Sequence, residues 1–277
     1  MQLSETLAHL DELKRKMDEY RPLDLKQARL LANQVKIEHV WSSNAIEGST
    51  ITLAETATIL NSGLTVHGKP MSEHLATTDL GDAYDYMFEL VNTKTPVSEI
   101  IIRDLNRLVL ARQKPEEVTP GAYRVLDAWP RGSEDQPYVP PYDIRPAVQD
   151  LVKWANKAVD QLHPVQYAAD LHLKLVSIHP FADGNGRTSR LMMNFALTQA
   201  GYPVINIMPD KKARATYIDC LATGRSTGNF LPFEELVVGY AQQTLEKRIS
   251  LLQLNEMNIE EANQQTFLKK KRFKPKR

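Results

Sequence analysis

Along most of the chain, apolar positions recur at helical spacing. After "RPLD", residues 25–47 place Leu30, Ile37, Trp41 and Ala45 on one face, at intervals of seven, four and four, which predicts an amphipathic helix. Gly48 follows as a glycine suited to end it. "TLAE" opens another helix, with Thr52 and Glu55 at the two positions of a capping box. In "TPVSE", Thr95 reads as the N-cap and Pro96 as the first helical residue of the buried segment "IIIRDLNRLVLAR". Helical periodicity returns from about Ala147 and again from Pro164 to Ile178. A further helix starts near Gly186 and ends at Gly201, with Pro203 behind it, and the chain is helical once more past Phe233.

One stretch breaks this pattern. Residues 120–146, "PGAYRVLDAWPRGSEDQPYVPPYDIRP", hold six prolines and two glycines. Two β-prone runs, "YRVLDAW" and "PYVPP", flank a polar turn and predict a small hairpin with a ragged second strand. The expected fold is all-α with a small β-hairpin flap.

Composition adds limits. With 277 residues, 42% hydrophobic and 25% charged, the chain has the make-up of a soluble globular protein. No run reaches the length of a membrane helix, and "MQLSETLAHLDELKRK" lacks a signal-peptide apolar stretch, so we expect no membrane association. A single cysteine, Cys220, excludes an internal disulfide and a cysteine-rich zinc site; it reads as a small buried side chain, and the whole suits a cytoplasmic compartment. Net charge is zero, yet the last nine residues, "KKKRFKPKR", carry seven positive charges, so the rest sums to minus seven. Such a tail can hold nucleic acid, but we read it as a solvated terminus and rank a nucleic-acid partner low.

The chemistry gathers in "HPFADGNGRTSR", residues 179–190. It joins two predicted helices, with His179 at the end of one and Arg187 and Arg190 in the first turn of the next. Glycines let backbone N–H groups approach a ligand, and a helix N-terminus adds unpaired donors and partial positive charge. Two arginine forks beside such a turn make an anion site, for which phosphate is the natural anion. Asp183 would repel bare phosphate unless a divalent cation bridges them, which argues for a metal–nucleotide complex. His179 can take a proton from a hydroxyl near neutral pH. Base, metal ligand, anion cradle and charge clamps together describe phosphoryl-type transfer and leave open which phosphorus is attacked. "GNGRTS" lacks the third glycine of a dinucleotide fingerprint, and neither a Walker motif nor a kinase "HRD" occurs.

The stretch resembles the Fic family signature H-x-F-x-[D/E]-G-N-G-R-x-x-R, which it matches at every constrained position, and "PGAYR" at 120–124 also looks familial. The resemblance runs from about residue 101 to about 231. It implies a Fic-type helical core with the hairpin flap, and transfer of AMP from ATP to a Ser, Thr or Tyr hydroxyl of a target protein, with the chain itself and a homo-oligomer both left open. On that resemblance His179 is the general base and Asp183 holds Mg²⁺ against the α- and β-phosphates. Gly184, Asn185 and Gly186 form the anion hole; Arg187 contacts the polyphosphate and Arg190 its far end. Phe181 anchors the motif in the core, the flap at 124–141 holds target main chain, and Tyr217 resembles an adenine-pocket tyrosine, a core role being the alternative. The corresponding division is a helical region at 1–95 carrying an inhibitory helix, a catalytic core at 96–240, and a C-terminal helix with basic tail at 241–277.

"SSNAIEGS" resembles the [S/T]-x-x-x-E-[G/N] helix of self-inhibited Fic proteins, with Ser43, Glu47 and Gly48 at its fixed positions. A carboxylate in the last turn of a helix opposes the macrodipole and wants a cation; the resemblance supplies Arg190. A Glu47–Arg190 lock would occupy the γ-phosphate position. Other reactions on the same fold, UMP transfer or removal of AMP, stay open, as does a nucleotide-sensing regulatory protein.

Overall fold

A computed structural model of the chain describes residues 3–20, 22–112, 118–130 and 136–272, with side chains as far as 261. Among them are ten α-helices: α1 (Leu3–Asp18), α2 (Leu25–Ile46), α3 (Leu53–Ser62), α4 (Met71–Asn92), α5 (Glu99–Val109), α6 (Ile144–Ala158), α7 (Pro164–Ile178), α8 (Asn185–Gln199), α9 (Lys211–Thr227) and α10 (Leu231–Arg272).

The centre is the α7–α8 pair. Both are buried nearly all round, through Val165, Ala168, Leu171 and Leu175 on α7 and Leu191, Met193, Phe195 and Leu197 on α8. A helix apolar on every side belongs inside a bundle, and each large side chain buried there contributes about 1.5–3 kcal/mol. Helices α4, α5, α6, α9 and α10 surround the pair, and α1 lies along α10. Helix α9 comes close to α7 at Gly224, where an added Cβ would meet Leu173 Cδ2 at 2.5 Å. Helix α2 packs on α4 and reaches α8, so its C-terminal end arrives at the Gly-Asn-Gly turn.

Several boundaries follow the sequence. The Thr52–Glu55 capping box is formed in both directions, at 2.7 and 3.3 Å. Helix α7 begins at Pro164, and Gly48 takes φ +105° just past the end of α2. Others are corrected. Helix α5 starts at Glu99, capped by Ser98 instead of Thr95, whose carbonyl is taken by Gln199. The buried face of α2 is the expected one only in part: Ile37 is buried and Trp41 and Ala45 partly so, but Leu30 is 62% exposed, while His39, Val40, Ser43, Asn44 and Ile46 also turn inward. Among the polar ones Ser43 meets Arg190, while His39 meets Asn206 and Asn44 the Ala76 carbonyl, and an apolar count misses all three. Cys220 is only partly buried and donates to the Pro232 carbonyl at 3.4 Å.

The hairpin expected within 124–141 is corrected as well. Its described residues form no strand; Tyr123 makes an isolated bridge to Phe181, and Tyr138 N donates to Ala128 O at 2.9 Å. Pro130, Pro137, Pro140 and Pro141 offer no N–H to a ladder, which leaves extended arms in place of paired strands. The expected turn at 131–135 lies outside the described residues. So does part of the basic tail: α10 continues to Arg272, and 273–277 are outside. Among the described residues, no helix is long and apolar enough to cross a membrane.

Candidate active site

His179 closes α7 as its C-cap, in the left-handed region at φ 53°, with its N–H on Leu175 O at 3.2 Å. A non-glycine residue held there costs on the order of 1–3 kcal/mol and marks a place where the surroundings impose the geometry. Burial lowers the imidazole pKa to about 4, and Arg124 adds to the effect; the Val176 carbonyl, Glu47 and Asp183 oppose it. The ring is therefore neutral at pH 7.

The turn that follows is braced from three sides. Asn185 clamps it with its side chain, accepting from Phe181 N at 2.9 Å and donating to Phe181 O at 2.7 Å. Asn106, on α5, donates to Asp183 O at 2.9 Å and accepts from Gly121 N at 3.0 Å. Gly184 sits at φ 78° against the Asn106 amide, where a Cβ would fall 2.9 Å from Nδ2. Phe181 is buried, as the motif's anchor should be. No side chain caps α8, so the first N–H groups of the helix open toward the cleft beside Gly186. The Asp183 carboxylate stands half exposed at this opening, accepting from Gly184 N at 2.6 Å and from Arg187 at 3.2 Å. Arg187 is itself buried, with its Nε unbonded. Among the described residues no group of three His, Cys, Asp or Glu forms a metal cluster.

Arg190 lies at the back of the cleft and is buried. Its Nε donates to Ser43 Oγ at 2.7 Å, and one terminal nitrogen donates to Ser43 O at 2.9 Å and to Glu47 Oε1 at 2.6 Å. The other donates to Tyr217 OH at 3.3 Å. Partial burial tends to raise the Glu47 pKa, but Arg190, Arg187 and Arg214 outweigh it and hold the carboxylate below its usual range. Its side chain is 43% exposed toward the cleft, so water screens the pair in part. Arg214 also donates to Ile46 O at 2.7 Å and fixes the end of α2. A Cβ at Gly186 would collide with the Glu47 carboxylate, which places that carboxylate directly on the anion turn.

The structure thus brings together His179, Asp183, Gly184, Asn185, Gly186, Arg187, Arg190, Ser43, Glu47 and Gly48. Tyr217 is 2% exposed; its hydroxyl meets Arg190 and, at 3.0 Å, His172, and its ring packs on Phe233. It supports Arg190 from the core. Sequence reasoning missed Asn106, Arg124, Tyr138 and Arg214. Arg124 stood in the familial "PGAYR", the one available signal; the buried arginine donates to the carbonyls of His179 (2.8 Å), Leu126 (2.8 Å) and Val139.

Comparison with known proteins agrees with this geometry. Residues 96–197 match the Fic/DOC family. The chain is 35% identical over 221 residues to protein adenylyltransferase Fic of Drosophila erecta, covering 79% of this chain and 43% of that protein. It is 37% identical over 214 residues to the Aedes aegypti protein of the same name, covering 76% and 41%. It therefore spans less than half the length of these curated relatives. Among solved structures, Fic-1 from C. elegans superposes with a TM-score of 0.82 at 26% identity, over 91% of this chain and 73% of that one. A Fic domain containing signaling protein from Bacteroides thetaiotaomicron gives 0.79 at 26% identity, over 90% and 97%. The chain therefore carries a domain of the Fic/DOC family at residues 96–197.

Proposed function

We propose that this protein is a protein adenylyltransferase, moving AMP from ATP to a Ser, Thr or Tyr hydroxyl of a target protein, and that Glu47 holds it inactive. The observation that carries the reading is the neutral, cleft-facing His179 beside an uncapped helix N-terminus whose far arginine is already occupied by a carboxylate. The naming of both curated relatives as adenylyltransferases supports it.

In this reading the target oxygen attacks the α-phosphorus while His179 takes its proton. The new O–P bond forms as the bond to the β-phosphate breaks, and pyrophosphate leaves. The N–H groups of Asn185 and Gly186 steady the phosphate oxygens, joined by that of Gly184 once Asp183 releases it, while Arg187 neutralises the polyphosphate and Arg190 anchors its end. One half-exposed carboxylate at the mouth of a phosphate cradle fits Mg²⁺, which is ordinarily held by one or two carboxylates plus substrate phosphates. Asp183 would hold the ion, which when bound supplies positive charge against the phosphates.

Glu47 and a terminal phosphate ask for the same guanidinium. With Glu47 in place, the terminal nitrogen it holds has both N–H groups spent, on Glu47 and on the Ser43 carbonyl, so ATP cannot settle with its α-phosphate in line for attack. The flap carries Val125 and Leu126 at 84% and 75% exposure, an apolar edge along which target main chain can lie. A reducing, cytoplasmic setting goes with this proposal.

The test uses Mg²⁺ and ATP labelled at either the α- or the γ-phosphate, with the parent and the Glu47→Gly variant in cell lysate. Protein labelled from the α-position alone is the expected result. Label from the γ-position would mean phosphate transfer and would end the reading.

A further inference from the structure

The imidazole of His179 lies under a second aromatic ring. Tyr138, on the returning arm of the flap, stacks on it with ring centroids 3.9 Å apart and planes within 11°. A histidine base needs its ring plane fixed, and the usual device is a hydrogen bond from the second ring nitrogen to a carboxylate or carbonyl. That device is weak here: Nδ1 of His179 is buried, and the main chain of Val176, which favours the proton, reaches it only at poor hydrogen-bond geometry. The terminal torsion of histidine is soft, so something else must set the plane.

The stack is built to do so. Tyr138 N donates to Ala128 O, pinning this arm to the outgoing one. The Arg225 guanidinium lies 5.0 Å from the Tyr138 ring centroid and donates to Gln136 O at 2.7 Å. Arg124 then ties both sides of the stack together, since it donates to the His179 carbonyl and to the carbonyl of Val139. Base and flap are thereby one unit.

We propose that Tyr138 is a positioning residue for the general base: its ring, laid flat on His179 and steadied by Arg225, fixes the plane in which the imidazole meets the target hydroxyl. The proposal rests on the adenylyl-transfer reading above. It assigns the ring, and not the phenol hydroxyl, to the task. Other charged groups acting on the imidazole are Arg124 from the flap, Glu47 from α2 and Asp183 from the turn, and none of them stacks on it.

The experiment places Tyr138→Phe, Tyr138→Leu and Tyr138→Ala in a Glu47→Gly background. It follows the initial rate of α-label transfer to lysate protein against ATP concentration. Tyr138→Phe should match its background, while Tyr138→Leu and Tyr138→Ala should lose about ten- to hundredfold in maximal rate with the KM for ATP unchanged. The leucine keeps apolar bulk, so a folding defect confined to alanine leaves the comparison intact. Equal or faster transfer by the leucine variant would overturn the proposal, because the tyrosine would then be idle or a plug over the base. So would a phenylalanine variant as slow as alanine. A second readout needs no turnover: nitrogen NMR of the His179 ring, assigned with His179→Ala, should show the pKa moving from about 4 toward the free value when the ring is removed. An unmoved pKa and unchanged ring dynamics in Tyr138→Leu would contradict the stack. If the Glu47→Gly background transfers no α-label with Tyr138 intact, the adenylyl-transfer reading fails, and the NMR arm still decides whether Tyr138 orders the imidazole.

Discussion

Arg190 and Glu47 meet at 2.6 Å across the junction of α8 and α2, although 143 residues separate them in the chain. The guanidinium is buried, and Ser43 and Tyr217 take three more of its five N–H groups. The acid is half exposed toward the cleft. A buried arginine must be paired, so α2 supplies the counter-ion wherever no phosphate does. On the proposed function, this exchange would make one contact serve both stability and regulation.

His179 should be indispensable. In His179→Ala the maximal transfer rate is expected to fall about 10²–10⁴-fold, the usual worth of a general base. Nucleotide affinity, measured by calorimetry, should stay near the parent's because the ring is not part of the phosphate cradle. Retained transfer would remove His179 from the role.

Asn106 braces the turn from α5. Asn106→Ala leaves Gly121 N–H buried without its acceptor and frees the Asp183 carbonyl. A loss of about 1–3 kcal/mol in denaturant unfolding is expected, together with slower transfer. An unchanged unfolding midpoint would mean that water replaces both bonds at no cost.

Gly186→Ala separates the lock from the cradle. The added methyl must push Glu47 off the turn, yet it would also fill the space the proposed phosphate takes. ATP affinity is expected to weaken about tenfold, on the order of 1.4 kcal/mol, and transfer should fall. A rise in transfer like that from removing Glu47 would show that phosphate does not use this turn.

How much of this was legible in the sequence depended on whether the signal was local. The helix boundaries at Thr52, Pro164 and Gly48, and the gathering of residues 179–190 around one interhelical turn, were readable because a few adjacent residues decide them. The Glu47–Arg190 pair was readable only through the family pattern, since nothing local says where α2 ends in space. Asn106, Arg124 and Tyr138 could not be read. Each acts through contacts tens of residues away, and an asparagine in an amphipathic helix or a tyrosine among prolines carries no local mark of its partner. The hairpin failed for a local reason that was in view: the prolines that shape the flap also remove the donors a second strand needs.

His39 offers a pH signature. Burial lowers its pKa from 6.5 to about 4, with Arg190 helping and Asn206 opposing. The unfolded chain then binds the proton more readily, so stability from this group is full above pH 6.5 and is lost as pH falls toward 4. Asp170 runs the other way, raised to about 7 by burial and by Glu234. Comparing parent with His39→Asn cancels that contribution. The parent's urea midpoint should drop more steeply than the variant's between pH 6.5 and 4.5, and parallel profiles would contradict a neutral buried His39.

The central claim is that Glu47 keeps Arg190 from the nucleotide. Its most direct measure is the rate of AMP transfer from α-labelled ATP by the parent, Glu47→Gln and Glu47→Gly proteins under one set of conditions. The account predicts a rise of about 5–150-fold in Glu47→Gly, the span of an ordinary coupling between two states, with Glu47→Gln in between. Equal rates in all three would contradict it and would leave the 2.6 Å pair as a structural contact alone.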